Sequence, residues 1–347
     1  MDINLSDLVR GNVLKLKPYS SARDEHTDVA DIYLDANENP FNWAYNRYPD
    51  SYQRTLKDAI SQWKKVKADH IFLGNGSDEI IDLMIRAFCE PKINSIVTIH
   101  PSYGMYTVSA DINDVEVRYF PLDADFTFDI DTLIHFLKPE DKILFLCSPN
   151  NPSGNCIDPA IILQICKNFH GLVVVDEAYI DFADTESMLS YVDKIPNLIV
   201  MQTLSKAIGA AGIRLGMAFM DPFIVGILNK IKPPYNINGA TQNIALERIS
   251  DQTYIDAQII NIKHGRSTLN ACLESLSFVQ KVFPSEANFI LAKVDDADDL
   301  YDYLIQQSIV VRNRNKQYRC EGCLRFTIGT PAEMDSLIKA LYAYQKP

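Results

Sequence analysis

The stretch Leu172-Val173-Val174-Val175-Asp176-Glu177-Ala178-Tyr179 leads directly from an apolar run into two carboxylates. A short run that is apolar on both faces is typical of a strand buried inside a parallel sheet. Further runs of this kind span residues 96–99, 143–147 and 198–201. Helical patterns, such as residues 79–89 and 159–169, alternate with these runs. The alternation predicts an α/β fold whose mostly parallel sheet is flanked by helices.

Asp176 and Tyr179 lie where the quoted run ends, and ligands of open α/β sheets bind beyond the carboxyl ends of the strands. A carboxylate buried at the end of an apolar strand is costly unless it is paired, so Asp176 needs a cationic partner. Tyr179, three residues further on, is near enough to serve the same pocket. The alternative is a carboxylate that only caps the next helix.

Two other loops place polar residues directly after a predicted strand or before a helix. In Gly74-Asn75-Gly76-Ser77-Asp78-Glu79 we expect Ser77 as the N-cap of a helix whose free N–H groups can hold a phosphate. In Ser148-Pro149-Asn150-Asn151-Pro152-Ser153-Gly154 the prolines fix an irregular loop from which Asn151 can offer its amide to a ligand. The alternatives are an ordinary glycine-rich turn and asparagines that bond only to local backbone.

A lysine surrounded by small residues, Lys206, lies in the segment 203–216. Glycine and alanine let a bulky group approach the backbone closely. Partial burial and a nearby cation such as Arg214 lower the pKa of a lysine, which makes its neutral amine a nucleophile. The alternative is a solvated surface lysine. Because four such polar sets follow elements of one predicted sheet, we expect them to share one ligand site.

The last hundred residues carry a different pattern, which predicts a smaller C-terminal α/β domain with an antiparallel component. Its predicted elements are a helical stretch at about 242–276, strands at 287–292 and 324–328, and a closing helix at 331–344. The double proline Pro233-Pro234 blocks helix continuation. We therefore expect a large domain at 35–235 and a small domain at 236–347, with an N-terminal segment, 1–34, that packs with the small domain.

Composition excludes several classes of protein. Hydrophobic residues make up 47% of the 347 residues, which supports a well-buried core. Lys and Arg total 33 against 45 Asp and Glu, so the net charge of −12 disfavours a nucleic-acid partner. No apolar run is long enough for a membrane span and no secretory stretch is present, so we expect a cytoplasmic protein. Cys320 and Cys323 form a single C-x-x-C, and nothing completes a metal site with them.

Taken together, these segments resemble the pyridoxal-phosphate (PLP)-dependent aminotransferases of fold type I, class I/II. The lysine segment and Asn150-Asn151-Pro152-Ser153-Gly154 carry the likeness to the superfamily, although Ser153 stands where the family often has threonine. Three further stretches narrow the resemblance to the histidinol-phosphate aminotransferase family. They are Leu34-Asp35-Ala36-Asn37-Glu38-Asn39-Pro40, Asn46-Arg47-Tyr48-Pro49-Asp50 and Gly322-Cys323-Leu324-Arg325-Phe326-Thr327-Ile328-Gly329.

The resemblance implies that Lys206 is the catalytic residue, joined to PLP as a Schiff base and then acting as general base and acid. It implies Asp176 at the pyridinium nitrogen, which is the cation that its position requires. Asn151 and Tyr179 are implied at the phenolic oxygen of the cofactor, and Tyr103 is implied at the face of its ring. A core aromatic beside a turn is the alternative for Tyr103.

The cofactor phosphate is implied at the backbone N–H groups of Ser77 and Asp78, with Ser205 and Arg214 supplying a hydroxyl and a charge. Tyr48 matches a family tyrosine that reaches the cofactor phosphate of the neighbouring subunit. The resemblance therefore implies a homodimer with shared active sites. A local loop role is the alternative for Tyr48.

On the substrate side, the resemblance implies that Arg325 grips a carboxylate, because a planar guanidinium suits a carboxylate bidentately. Histidinol phosphate has no carboxylate, whereas glutamate has two, so one pocket must accept either a phosphate or a carboxylate. Arg325 and Arg312 could do so by presenting movable positive charge. The other implied residues on this side are Tyr19 and Asn37. We expect Arg314 and Arg319 in a solvated loop.

The implied reaction is the transamination of L-histidinol phosphate with 2-oxoglutarate, giving 3-(imidazol-4-yl)-2-oxopropyl phosphate and L-glutamate in L-histidine biosynthesis. One alternative on the same fold is an aromatic amino-acid aminotransferase. Another is a threonine-phosphate decarboxylase, which would use the same cofactor residues but release CO2. A PLP-binding regulatory module is disfavoured by the net acidity and by the absence of an appended DNA-binding segment.

Overall fold

The computed structural model describes residues 3–18, 31–41 and 43–344, and these residues form two sheets with flanking helices. The strands are β1 (Ile71–Asn75), β2 (Ser95–His100), β3 (Glu116–Pro121), β4 (Asp141–Cys147), β5 (Leu172–Asp176), β6 (Leu198–Thr203), β7 (Leu215–Phe219), β8 (Val279–Val282), β9 (Phe289–Val294), β10 (Arg312–Asn313) and β11 (Cys323–Thr327). The α-helices are α1 (Gly11–Lys15), α2 (Arg54–Lys64), α3 (Ser77–Phe88), α4 (Met105–Ile112), α5 (Ile130–Phe136), α6 (Pro159–Asn168), α7 (Pro222–Ile231), α8 (Gly239–Ser250), α9 (Gln252–Ser275), α10 (Ala297–Gln306) and α11 (Pro331–Ala343). None of these helices is both long enough and apolar enough to cross a bilayer.

The large sheet has seven strands in the order β1-β7-β6-β5-β4-β2-β3. The five strands from β6 to β3 in this order run parallel to one another, whereas β7 is antiparallel to both of its neighbours. The mostly parallel sheet and its four apolar runs are thus confirmed. This topology brings the carboxyl ends of β4, β5 and β6 to the same edge.

The apolar runs are continuous because both faces of the sheet are covered. Every residue of β5 is buried, and successive side chains of a strand point to opposite faces. Accordingly, Val173 and Val175 join one hydrophobic cluster while Val174 joins another on the opposite face. The helices on both faces hold β5 rigidly, so the residues that follow it have fixed positions.

The small sheet is antiparallel throughout, in the order β10-β11-β9-β8, as the C-terminal pattern predicted. The helical stretch predicted at about 242–276 is two helices, α8 and α9. Asp251 separates them, and its side chain accepts a hydrogen bond from the Tyr254 N–H as the N-cap of α9. The closing helix, α11, begins with a capping box formed by Thr330 and Glu333.

The N-terminal segment contacts the large domain in its described part, whereas we expected residues 1–34 to pack with the small domain. Leu5, Leu8 and Val13 join the hydrophobic cluster that contains residues of α3 and α7. Arg10 extends this contact, because its Nη1 donates to the Arg86 carbonyl at the end of α3. The boundary between residues 235 and 236 remains a prediction.

Candidate active site

A cleft of about 530 Å³ opens at the edge where β4, β5 and β6 end. Its lining residues are Ser77, Asp78, Tyr103, Cys147, Asn151, Asp176, Ala178, Tyr179, Thr203, Ser205, Lys206 and Arg214. The structure therefore brings together all of the predicted cofactor-binding residues except Tyr48, although they come from separate loops.

Asp176 ends β5 with its carboxylate buried beneath the cleft. The Tyr106 hydroxyl donates to its Oδ2 over 2.6 Å, and the Ala178 N–H donates to its Oδ1 over 3.1 Å. Burial raises the pKa of Asp176, and these two hydrogen bonds oppose that rise. Within the described residues the carboxylate forms no ion pair. Its position therefore suits a cationic group of a ligand in the cleft.

Tyr106 is a residue of the site that the sequence analysis missed. It is completely buried and its ring stacks on Phe145 of β4, with centroids 4.5 Å apart. Tyr103 lies before the helix that carries Tyr106, since Gly104 is the N-cap of α4, and its ring makes an edge contact with that of Tyr106, with centroids 5.6 Å apart. Tyr106 holds the Asp176 carboxylate in place from beneath the cleft.

Lys206 lines the same cleft as Asp176. Its side chain is open to the cleft, and its Nζ lies 5.6 Å from the centroid of the Tyr179 ring. Partial loss of hydration, followed by the positive charge of Arg325, lowers the pKa of Lys206, while Asp176 partly opposes this effect. A lowered pKa increases the fraction of neutral amine, which is the nucleophilic and basic form.

The start of α3 forms the end of the cleft that suits an anion. We expected Ser77 as the N-cap, but this was wrong: Gly76 is the N-cap, and no side chain caps the helix. The first N–H groups of α3 are consequently free of a side-chain partner, and the helix dipole favours an anion there. Arg214 approaches the same point, with its Nη2 3.6 Å from Asp78 Oδ2.

Gly76 is favoured at the start of α3 by its backbone conformation. Its φ of +79° lies in the left-handed region that favours glycine. A Cβ atom at this position would also lie 2.7 Å from Nη2 of Arg214. The glycine thus lets the guanidinium reach the N-terminus of α3.

Two tyrosines define the walls of the cleft. The Tyr103 hydroxyl donates to Asp78 Oδ1 over 3.0 Å, which fixes the ring above the start of α3. The Tyr179 ring makes an edge contact with Phe289 of the small sheet, with centroids 5.2 Å apart. Burial is the main reason why the pKa of both tyrosines is raised, so both hydroxyls remain protonated donors at neutral pH.

Asn151 connects the cleft to the small domain. Its Oδ1 accepts hydrogen bonds from Arg325 Nη1 over 2.5 Å and from Arg314 Nη2 over 3.3 Å. Since the oxygen is occupied by two donors, the amide NH2 group is left to donate into the cleft. Burial lowers the pKa of Arg325, and its guanidinium lies over the Phe289 ring.

Arg312 lies directly opposite Arg325 in the pairing of β10 with β11. Like charges in this register repel each other, which suits a site for an anion. Arg314 is half-buried and reaches Asn151, so the expectation that it lies in a solvated loop was wrong. Arg319 is exposed, as expected. The sequence could have indicated a role for Arg314 beside Arg312, because residues two apart in an extended segment lie on the same face.

Tyr48 and Asn37 do not reach the cleft of their own chain. They line a separate open cleft with residues 45–49 and the start of α8. The Tyr48 ring is half exposed and stacks on Tyr235, with centroids 4.4 Å apart. Tyr19 lies outside the described residues.

The Cys320–Cys323 pair is buried in the small domain as free thiols. Burial raises the pKa of Cys320 to about 12 and that of Cys323 to about 11, and such thiols are unreactive at neutral pH. Within the described ranges, no group of three or more His, Cys, Asp or Glu side chains could hold a metal ion.

The fold and the lysine-containing cleft define the class of protein. Residues 19–341 match the family model of aminotransferase class I and II. The chain therefore belongs to this family.

Histidinol-phosphate aminotransferases are similar to the chain over nearly its whole length, which places the chain among them within this family. The histidinol-phosphate aminotransferase of Parabacteroides distasonis is 55% identical over 338 residues, covering 97% of this chain and 98% of the relative. That of Flavobacterium johnsoniae is 50% identical over 341 residues, covering 97% and 98%. A crystal structure of the histidinol-phosphate aminotransferase from Clostridium acetobutylicum matches with a TM-score of 0.79 and 27% identity, covering 86% of this chain and 90% of that one.

Proposed function

We propose that the cleft binds pyridoxal 5′-phosphate and that the protein transfers the amino group of L-histidinol phosphate to 2-oxoglutarate, in L-histidine biosynthesis. The products are 3-(imidazol-4-yl)-2-oxopropyl phosphate and L-glutamate. The observation that carries this proposal is that Lys206 lines the same cleft as the buried carboxylate of Asp176, which forms no ion pair within the described residues. The cleft also includes the start of α3, where the N-cap Gly76 has no side chain to occupy the first N–H groups. The near full-length similarity to histidinol-phosphate aminotransferases supports the choice of substrate.

The residues present fit the three polar parts of this cofactor. The N–H groups of Ser77 and Asp78, with Arg214 and the Ser205 hydroxyl, would hold its phosphate. Asp176 would hold the protonated ring nitrogen, which supplies the cation that its burial requires.

The remaining contacts concern the ring itself. Asn151 and Tyr179 both keep an N–H or O–H donor toward the cleft, as a phenolic oxygen requires. Tyr103 would lie against the ring face, where aromatic groups stack favourably. When bound, the cofactor withdraws electrons from the substrate Cα, which makes the α-proton acidic.

Lys206 would then move the α-proton of the substrate, while Asp176 keeps its charge at the ring nitrogen. The lowered pKa of Lys206 favours its neutral amine, which can take the α-proton at Nζ and return it at another atom. Tyr106 and Ala178 hold the Asp176 carboxylate so that its charge remains directed at the ring nitrogen. Burial of Asp176 strengthens this electrostatic interaction, because the surrounding dielectric constant is low.

Arg325 and Arg312 would bind the substrate anion. Arg325 is partly buried beside Asn151, whereas Arg312 is exposed on the facing strand. A guanidinium pairs bidentately with either a carboxylate or a phosphate. The pair can therefore serve both histidinol phosphate and glutamate. We further propose that Asn37 and Tyr19 contribute to substrate binding.

The protein acts as a homodimer in this proposal, with Tyr48 completing the phosphate site of the neighbouring subunit. The segment around Tyr48 exposes large apolar side chains: Leu34 is 88% exposed, Phe41 81% and Trp43 69%. Several exposed large apolar side chains within one short segment favour a protein–protein interface there. We also propose a cytoplasmic location, as expected for a biosynthetic enzyme.

A half-reaction assay tests the substrate. Holoenzyme is mixed separately with histidinol phosphate, phenylalanine, tyrosine and phosphothreonine, and the visible absorption of the lysine-bound cofactor is followed. We expect the fastest loss of absorption with histidinol phosphate. A faster reaction with phenylalanine or tyrosine would favour an aromatic amino-acid aminotransferase, and release of CO2 from phosphothreonine would favour a decarboxylase.

A further inference from the structure

Arg314 follows β10 and reaches from the small domain to the edge of the cleft. Its Nη2 donates to the same Asn151 oxygen as Nη1 of Arg325. The Nε atoms of both arginines are buried and have no hydrogen-bond partner among the described residues. Two guanidinium groups therefore donate to one amide oxygen, and the Nε–H of each has no acceptor among the described residues.

The surroundings of Arg314 contain positive charge without a matching carboxylate. Arg312 lies beside it, opposite Arg325 in the sheet. In the described part of the chain, none of the three arginines forms an ion pair. Burial, together with the charges of Arg325 and Arg312, lowers the pKa of Arg314 to about 10. Such a cluster is unfavourable until an anion neutralises it.

The loop that carries Arg314 is anchored at both of its sides. The Arg314 N–H donates to the Cys323 carbonyl over 3.0 Å, and the Arg314 carbonyl accepts from the Gln317 N–H over 2.8 Å. Further along the loop, the Tyr318 ring stacks on His100 of the large domain, with centroids 5.0 Å apart. Arg314 is thus held at the cleft before any substrate binds, which reduces the entropic cost of binding.

We propose that Arg314 is a substrate-binding residue that forms, with Arg312 and Arg325, a three-guanidinium site selecting substrates with two negative charges. A phosphate monoester carries both charges on one group, and a dicarboxylic amino acid carries them on two. An amino acid with an apolar side chain has only one and leaves part of the cluster uncompensated. This inference rests on the proposed function and assigns its substrate specificity to a residue outside the implied set.

The experiment compares holoenzyme carrying Arg314→Gln, Arg314→Lys or Arg319→Gln with the wild type. Arg319→Gln is the matched control, since it removes the same charge from an exposed position of the same loop. The kinetic constants are measured for histidinol phosphate and for phenylalanine, and inorganic phosphate is tested as a competitive inhibitor. The dissociation constant of PLP from the apoprotein is measured by fluorescence titration.

With Arg314→Gln we expect KM for histidinol phosphate to rise about tenfold or more, as for the loss of a charged hydrogen bond, while kcat changes less than about threefold. Inhibition by phosphate should weaken in parallel, and Arg314→Lys should restore part of the affinity. Phenylalanine kinetics and the PLP dissociation constant should change by less than about twofold, and Arg319→Gln should resemble the wild type.

Equal losses for histidinol phosphate and phenylalanine would overturn the proposal, as would an unchanged KM for histidinol phosphate. Weaker PLP binding by Arg314→Gln would also overturn it, because Arg314 would then act only by orienting Asn151. A wild-type enzyme that does not convert histidinol phosphate would refute the proposed function instead. In that case, phosphate inhibition of the reaction with another amino donor still tests Arg314.

Discussion

The cleft at the ends of β4–β6 and the separate cleft around Tyr48 differ in what one chain supplies. The first is lined by polar groups that are held by a buried sheet, and Asp176 lies on its floor with both oxygens bonded. The second is open and lies beside exposed apolar side chains, among them Phe41 and Trp43. The first cleft contains the groups that a catalytic site requires, whereas the exposed apolar side chains beside the second are typical of a protein–protein interface.

This difference assigns separate roles to the two regions. Groups that must be desolvated and fixed, such as Lys206 and Asp176, lie on a scaffold covered on both faces. Tyr48 lies on a segment whose large apolar groups face solvent in the single chain. If the chain dimerises through this segment, burial of those groups would stabilise the dimer and carry Tyr48 to its neighbour.

The largest effect is expected for Lys206→Ala, which tests whether the first cleft is the reaction centre. Loss of the nucleophile and proton carrier should reduce turnover by at least about 10³-fold, with the fold intact. Steady-state transamination rates measure this loss. Borohydride reduction followed by peptide mapping should place the reduced cofactor on the peptide that contains Lys206 in the wild type.

Lys316→Ala is the matched control for this variant, because Lys316 is exposed and outside the cleft. It should retain wild-type turnover. Unchanged transamination by Lys206→Ala, or a reduced adduct on another lysine, would show that Lys206 is not the nucleophile.

Mixing of two inactive variants tests whether the second cleft serves the neighbouring subunit. A Tyr48 variant and a Lys206 variant that exchange subunits form mixed dimers in half of the cases, and one site of each mixed dimer is intact. Activity should then recover to about a quarter of the wild-type value. The measurement is activity after subunit exchange has been verified with differently tagged chains.

The absence of any recovery in verified mixed dimers would show that Tyr48 acts within its own chain or not at all. The same mixture with two different Lys206 variants is the control. It should stay inactive, because no dimer then contains an intact site.

The interior of the site was predictable because strand burial and strand ends leave a strong pattern. Asp176 follows an apolar run that is covered on both faces, so a requirement for a partner could be inferred from position alone. Tyr106 was missed because it is 70 residues from Asp176 in the sequence, so no local pattern predicts that the two side chains bond. Ser77 was wrongly predicted as the N-cap, because serine is a frequent cap, whereas the cap position here has a φ of +79°, which favours glycine.

The substrate side was less predictable because it depends on contacts between distant segments. Arg314 and Asn151 are 163 residues apart, and no local pattern predicts that they bond. The break between α8 and α9 was also missed, because a single residue, Asp251, leaves the helical conformation there, with φ of −99° and ψ of 61°. The bond between Arg314 and Asn151 joins segments that are distant in the sequence, and a single sequence carries no periodic signal for such a contact.

A smaller effect is expected for Arg312→Ala, which tests the substrate side of the first cleft. Arg312 is exposed and lies opposite Arg325, so its charge contributes to anion binding without shaping the core. Catalytic efficiency with histidinol phosphate should fall by about 10- to 100-fold, and that with phenylalanine by less. Steady-state kinetics with both amino donors measure the ratio. Equal losses of catalytic efficiency with the two amino donors would show that Arg312 does not recognise the phosphate.

The smallest effect is expected for Tyr106→Phe, which removes the hydroxyl that bonds to Asp176. That hydrogen bond opposes the rise in the pKa of Asp176 caused by burial, so its loss should raise the pKa further. PLP requires the ionised carboxylate, and its affinity falls as pH decreases through the pKa of Asp176. The variant should therefore lose PLP affinity at higher pH than the wild type, with about a tenfold larger dissociation constant.

Fluorescence titration of the apoprotein with PLP at several pH values measures this shift. Tyr344→Phe is the matched control, because the Tyr344 hydroxyl also donates to a carboxylate, that of Asp299, but in the small domain away from the cleft. If both variants lose the same stability and neither changes the pH profile of PLP binding, Tyr106 only packs against Phe145. If the pH profile of PLP binding shifts in Tyr106→Phe alone, the hydroxyl keeps Asp176 ionised. Cofactor binding then depends on a buried residue that does not line the cleft.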